Sequence, residues 1–215
     1  MARLNWIIAA TAVAVAMAAA QPAAAVPIDI FSTGVDAFGT PILDGAADPH
    51  YTVSPGGNAF AIGTPGGLGW VGNTAFSEWI SPNFTGNAGS GPFTYTTTFD
   101  LTGHDPLTAL LKGSIALDKS GSILLNGVNV FNSPPASSSP WASFKKFTIS
   151  SNFLAGLNTL EIVVANTAST APASTGVQMR IRGRVDTIGT VPEPATLALL
   201  GVGLLAFGAV RRRRS

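Results

Sequence analysis

Apolar and polar residues alternate most regularly between Phe93 and Leu101, where Phe93, Tyr95, Thr97, Phe99 and Leu101 point one way and Thr94, Thr96, Thr98 and Asp100 the other. A period of two over nine residues predicts a half-buried β-strand. Comparable runs predict strands at Leu107–Leu117, Ser122–Leu125, Val128–Phe131, Phe144–Ile149, Thr159–Ala165 and Val177–Val185, with shorter ones at Ile28–Phe31, Tyr51–Val53 and Ala59–Ile62. Asn126-Gly127 separates two of them, and this pair takes the positive φ angles of a type I′ turn, so a hairpin is expected there. The stretches Asn132–Pro140 and Thr167–Thr175 are too rich in Ser, Thr and Pro for strands and read as loops. Eight or so strands, punctuated by turns and with no helical period, predict an all-β fold, a β-sandwich over residues 26–188.

The pattern breaks at both ends. The N-terminus has Arg3, an uncharged and largely apolar run from Trp6 to Ala20, and Ala23-Ala24-Ala25. A cationic start, an apolar stretch and an Ala-x-Ala site predict a secretory signal peptide over residues 1–25, cut by signal peptidase before Val26. Cutting after Ala20, or retention as an N-terminal anchor, are the alternatives. At the other end, residues 189–215 contain Val191-Pro192-Glu193-Pro194, sixteen uncharged residues from Ala195 to Val210, and Arg211, Arg212, Arg213 and Arg214. A sixteen-residue helix spans about 24 Å, a little less than the ~30 Å hydrocarbon core, and snorkelling arginines close the gap. The arginines favour the cytoplasmic side, which faces the preceding domain outward, as a signal peptide also requires.

Val191-Pro192-Glu193-Pro194, a short apolar helix and a terminal basic cluster together resemble the PEP-CTERM sorting signal of Gram-negative bacteria. That resemblance implies processing near the motif by an exosortase, inner-membrane attachment through the C-terminal helix until then, and occurrence beside exopolysaccharide synthesis. It makes Pro192, Glu193 and Pro194 the recognition element. Two prolines stiffen an extended segment and one carboxylate gives it a polar handle. An ordinary tail anchor behind a proline-rich linker is the alternative.

A second resemblance covers most of the domain. Ser77-Glu78-Trp79-Ile80-Ser81-Pro82-Asn83, Tyr95-Thr96-Thr97-Thr98-Phe99-Asp100-Leu101, Leu124-Leu125-Asn126-Gly127-Val128 and Gly156-Leu157-Asn158-Thr159-Leu160-Glu161-Ile162-Val163-Val164 occur in the order seen in jelly-roll domains similar to galactose-binding-like modules. The chain departs from them at Asp118-Lys119, where such domains often carry Asp-Asn. Carbohydrate binding follows from this likeness only by analogy, because one fold serves many roles.

Charge changes the picture little. From Val26 to Thr190 there are seven basic and ten acidic residues, about −3 in all, which gives no support for nucleic-acid binding. With no cysteine, disulfides and zinc–sulfur sites are excluded and core burial must supply the stability.

Candidate chemistry is sparse. Two histidines, His50 and His104, and no Gly-x-Ser-x-Gly or His-Glu-x-x-His motif argue for a protein without catalytic residues and without cofactor. Asp44, Asp48 and His50 share a loop whose oxygens suit Ca²⁺, but the spacing is not that of an EF-hand and Asp is common in turns, so no metal is assigned. Trp70 and Trp141 are candidate stacking platforms for sugar rings, whereas Trp79, beside Ile80, is expected in the core. Gln178, Arg180, Arg182 and Arg184 alternate with apolar residues and set three guanidinium groups along one strand face. Such a row is either a solvated face that blocks edge pairing or a contact for the acidic groups of an exopolysaccharide.

Overall fold

The computed structural model describes residues 24–64, 69–166 and 174–188. The expected signal peptide and the C-terminal sorting segment lie outside the described residues.

Eleven strands form among the described residues: β1 (Ala25–Ile28), β2 (Ala47–Ser54), β3 (Gly57–Ile62), β4 (Trp79–Ser81), β5 (Phe93–Asp100), β6 (His104–Leu117), β7 (Ser120–Leu125), β8 (Val128–Asn132), β9 (Lys145–Ile149), β10 (Leu157–Ala165) and β11 (Val177–Thr187). Hydrogen bonds connect them in the order β8-β7-β10-β5-β2-β3-β4-β11-β6-β9, with β1 paired to the last residues of β11. The sheet folds over on itself. Phe131 of β8 and Phe147 of β9, at opposite ends of that order, lie with ring centroids 5.8 Å apart. Leu160, Ile162 and Val164 of one arm share a single buried cluster with Ile115, Leu117 and Met179 of the other. From β5 onward the chain crosses between arms at every connection except the β7–β8 hairpin, β6, β9 and β11 lying in one and β5, β7, β8 and β10 in the other. This is the winding of a jelly-roll sandwich.

The alternation read between Phe93 and Leu101 is the reason β5 forms where it does, since Phe93, Tyr95, Thr97 and Phe99 are all buried and Thr98 and Asp100 are exposed. Asn126 and Gly127 have φ of 52° and 78°, the type I′ geometry that joins β7 to β8.

Three expectations need correction. The strand expected at Ile28–Phe31 is instead Ala25–Ile28, paired with Gly183–Asp186. Beyond it the regular ladder ends and side chains join the backbone in holding β11: Thr33 N donates to Met179 O (3.0 Å), while the Thr33 hydroxyl accepts from Met179 N (2.9 Å) and the Ser32 hydroxyl from Ile181 N (3.2 Å). β6 begins at His104 rather than Leu107, because Asp105 and His104 still pair with Asp186 and Thr187 past an irregularity in register. β4 was not expected as a strand, and three residues are too few to display a period.

Candidate functional site

β11, β6 and β9 lie side by side, with Arg182 opposite Lys112 and Lys112 opposite Thr148, while Arg180 stands opposite Ser114 and Ser114 opposite Lys146. Leu111, Ile115, Met179, Ile181, Phe147 and Ile149 occupy the intervening positions and turn into the core. Alternation therefore sends Arg180, Arg182, Lys112 and Lys146 to the outer face, in two rows across three strands. Rows two residues apart are separated by roughly 6.8 Å, and adjacent strands by about 4.8 Å.

These four cations line an open groove of about 790 Å³, whose other wall comes from Val35, Gly39 and Phe76. No carboxylate residue is in its lining. Among the described residues none of the four is held in an ion pair. The carboxylate of Asp36, in the neighbouring loop, is turned back on its own turn, accepting from Phe38 N and Thr40 N (both 2.9 Å). Arg180 is steered by aromatic rings: its guanidinium carbon lies 5.2 Å from the centroid of Phe76 and 5.9 Å from that of Phe144. Contacts of this kind fix a guanidinium plane without consuming its N–H donors. The groove can thus receive an anion between forked donors and ammonium groups, beside the 62 % exposed ring of Phe76.

The arginine row is partly assembled in this way. Arg180 and Arg182 line the groove; Arg184 follows on the same face but outside it. Lys112 and Lys146 escaped the sequence reading. The alternation Leu111-Lys112-Gly113-Ser114-Ile115 marks Lys112 as outward, but nothing local says which strand lies next to it.

The tryptophans go elsewhere. Trp70, only 8 % exposed, packs at 4.2 Å between ring centroids against Trp79, and with Ile62 and Ala116 the two make a second buried cluster on the outer side of the sheet. Trp79 is in a core, and its indole N–H is satisfied by Val71 O at 2.7 Å. Trp70 is corrected from an open platform to a buried side chain, because the loop that carries it folds down onto the sheet. Trp141 borders the same cluster, half-buried, with Lys119 Nζ 5.4 Å from its ring. Neither reaches the basic groove.

Asp44, Asp48 and His50 do not converge. Asp48 is buried and its carboxylate accepts from Gly34 N (2.7 Å), His50 N (2.8 Å) and Tyr51 N (3.1 Å), which pins the start of β2 to the preceding loop. Burial pushes its pKa up, and those backbone donors pull against the rise. His50 lies flat on Phe31, ring centroids 3.7 Å apart. Glu78, behind the wall of the groove, is raised to about 7, first by burial and then by the charge of Asp44. Asp118 is raised to about 6 by burial, against the opposing pull of Lys119. His104 and Asp105 serve separate turns: His104 Nδ1 donates to Thr102 O (3.0 Å) and Asp105 accepts from Leu107 N (3.0 Å). They form no acid–base pair.

What the described residues define is an all-β jelly-roll domain with a basic groove and no assembled catalytic constellation. Residues 190–214 match the family model of the PEP-CTERM protein-sorting motif. A match of this kind marks an exported protein handled by exosortase, with a membrane-anchor region at its C-terminus. No characterised protein matches the chain by sequence. Among solved structures, similarity is found to a family 35 carbohydrate-binding module from an environmental isolate (11 % identity, 62 % of this chain and 88 % of that one, TM-score 0.35). The corresponding module from Paenibacillus barcinonensis gives 19 % identity, 63 % and 94 % coverage and a TM-score of 0.36. That from Cellvibrio japonicus gives 13 %, 79 %, 96 % and 0.36. Similarity at this level leaves the architecture to rest on the strand order and shared core described above, and it says nothing of a ligand.

Proposed function

We propose that the chain is a non-enzymatic cell-envelope or extracellular-matrix protein. In this reading signal peptidase removes residues 1–25, the C-terminal helix holds the domain of residues 26–188 on the periplasmic side of the inner membrane, and exosortase then acts at Val191-Pro192-Glu193-Pro194. Arg211, Arg212, Arg213 and Arg214 stop the tail in the membrane. The domain then reaches the cell surface or matrix together with exopolysaccharide. The observation that carries the proposal is the sorting motif at residues 190–214. Its test is Glu193→Ala in a host that has an exosortase: the variant is expected to accumulate in the membrane at precursor size, and processing identical to wild type would overturn the recognition role.

A second reading gives the domain a ligand, an acidic exopolysaccharide seated along Arg180, Arg182, Lys112 and Lys146. The observation favouring it is the groove itself, where four of the domain's seven basic residues gather with no carboxylate in the lining. Retention of the whole chain on immobilised polygalacturonate, with neutral dextran as control, tests it. Arg182→Ser is expected to weaken retention about tenfold, the equivalent of one charge-assisted hydrogen bond. Salt should release the protein, since exposed charges are screened beyond about 8 Å at physiological ionic strength. Trp141→Ala, away from the groove, should leave retention intact. Equal retention on both matrices, or by Arg182→Ser, would defeat this reading.

A further inference from the structure

The first and last strands are antiparallel neighbours. Ala25 pairs with Asp186, and Thr187 N donates to Ala24 O at 3.3 Å. Ile188, the last described residue, donates its N–H to Gly103 O at 3.2 Å. The same end of the sandwich holds three more chain reversals. Leu101 N donates to Gly156 O, which ties the β5–β6 turn to the loop before β10. The β7–β8 turn joins them through Asn126, whose side chain donates to Asn152 O (2.8 Å) and to Asn158 Oδ1 (2.9 Å).

These segments carry much of the domain's exposed apolar surface. Leu107 (90 % exposed), Leu157 (65 %), Ile188 (62 %), Leu154 and Val128 all stand here. Their exposure is built in. Leu107 N is held by the Asp105 carboxylate, and Leu154 gives its N–H and its carbonyl to the Asn158 side chain at 2.8 and 2.9 Å. The turns are satisfied, and the leucines are held outward by them.

We propose that this end of the sandwich is a lipid-facing surface, resting on the headgroup layer of a bilayer rich in zwitterionic lipid while the precursor is anchored. The proposal rests on reading Ala195–Val210 as a membrane span. From Ile188 to Ala195 the chain can reach at most about 25 Å when fully extended. The headgroup layer takes up about 6 Å of that. A domain of this length has a radius of gyration of about 15 Å and is therefore about 40 Å across. With so short a tether, the end from which the chain leaves stays nearest the bilayer, and that end is where the apolar side chains stand. The charges on these same segments are Asp100, Asp105 and Asp186, with Arg184 two residues before the last, so their balance is negative and attraction to anionic headgroups is not the source of the contact. Apolar insertion into the boundary of headgroups and acyl chains is.

Because the chain has no cysteine, single labels are clean. Full-length protein carrying Leu107→Cys, Leu157→Cys or Phe84→Cys is labelled with an environment-sensitive dye and reconstituted in vesicles of three parts phosphatidylethanolamine to one part phosphatidylglycerol. Phe84 matches Leu157 in exposure, at 66 %, and follows β4 near the other end of the sandwich. Spin-labelled lipid is expected to quench the dye at positions 107 and 157 several-fold more than at 84, with little change in added salt. Equal quenching at all three in chains that float with the vesicles overturns the lipid-facing surface and leaves the anchor standing. Failure to float overturns both. Disulfide cross-linking of unlabelled Leu107→Cys chains to each other under a mild oxidant, with no quenching in the labelled sample, assigns the face to a second copy and overturns the proposal.

Discussion

Two halves of one surface, the outer side of β11 and β6, have opposite fates although the same strands build them. Toward the start of β11, Ala116 is covered by Trp70, Trp79 and Ile62, its neighbour Gln178 is tied to Ser77, and both are fully buried. Two to four residues further on, Arg180, Arg182 and Lys112 stand at equivalent outward positions and stay open. Alternation alone treats the two halves alike. What separates them is the loop that runs back over the sheet between β3 and β4, held by Asn73, whose side chain donates to Ile62 O (3.0 Å) and accepts from Trp79 N (2.9 Å). An outward position becomes core or binding surface according to what lies above it.

The contrast can be broken from the covered side first. Trp79→Ala empties a fully buried indole site and leaves Val71 O without its donor; a loss of about 3–5 kcal/mol in denaturant unfolding of the whole chain is expected. Gln178→Ala removes the buried amide that donates to Ser77 O at 2.7 Å and to the Ser77 hydroxyl at 3.2 Å, for about 1–3 kcal/mol. A smaller effect tests the wall between the halves. Because the folded protein raises Glu78 from 4.5 to about 7, stability from this group is full below pH 4.5 and is lost as pH rises through about 7. The midpoint of thermal unfolding should therefore fall across that window, and Glu78→Gln should flatten the fall; an unchanged slope in the variant would remove Glu78 as its source. On the open side Arg182→Ser should alter stability by no more than about 0.5 kcal/mol while it weakens retention on polygalacturonate. A loss as large as that of Trp79→Ala would make the arginine row structural.

Legibility in the sequence followed the range of the interactions. The strand at Phe93–Asp100 and the Asn126-Gly127 hairpin depend on period and turn chemistry, both local, and both were readable. The sorting motif was readable for the same reason, being a contiguous string. The groove was half readable: Arg180 and Arg182 declare their shared face within one strand, but Lys112 and Lys146 join them only through a strand order that puts β6 and β9 beside β11. The burial of Trp70 depends on a loop closing over the sheet, and nothing in its Gly-rich surroundings announces that contact.

The last strand to be made holds the middle of its arm. β11 is hydrogen-bonded to β6 along one edge and to β4 and β1 along the other, so three earlier strands wait for residues 177–187 before their ladders close. A chain threaded outward from its N-terminus therefore cannot complete this core until nearly all of the domain has emerged. Pairings this distant in sequence also form slowly. Closure of the sandwich is thus a late event, set by the arrival of residues 177–187.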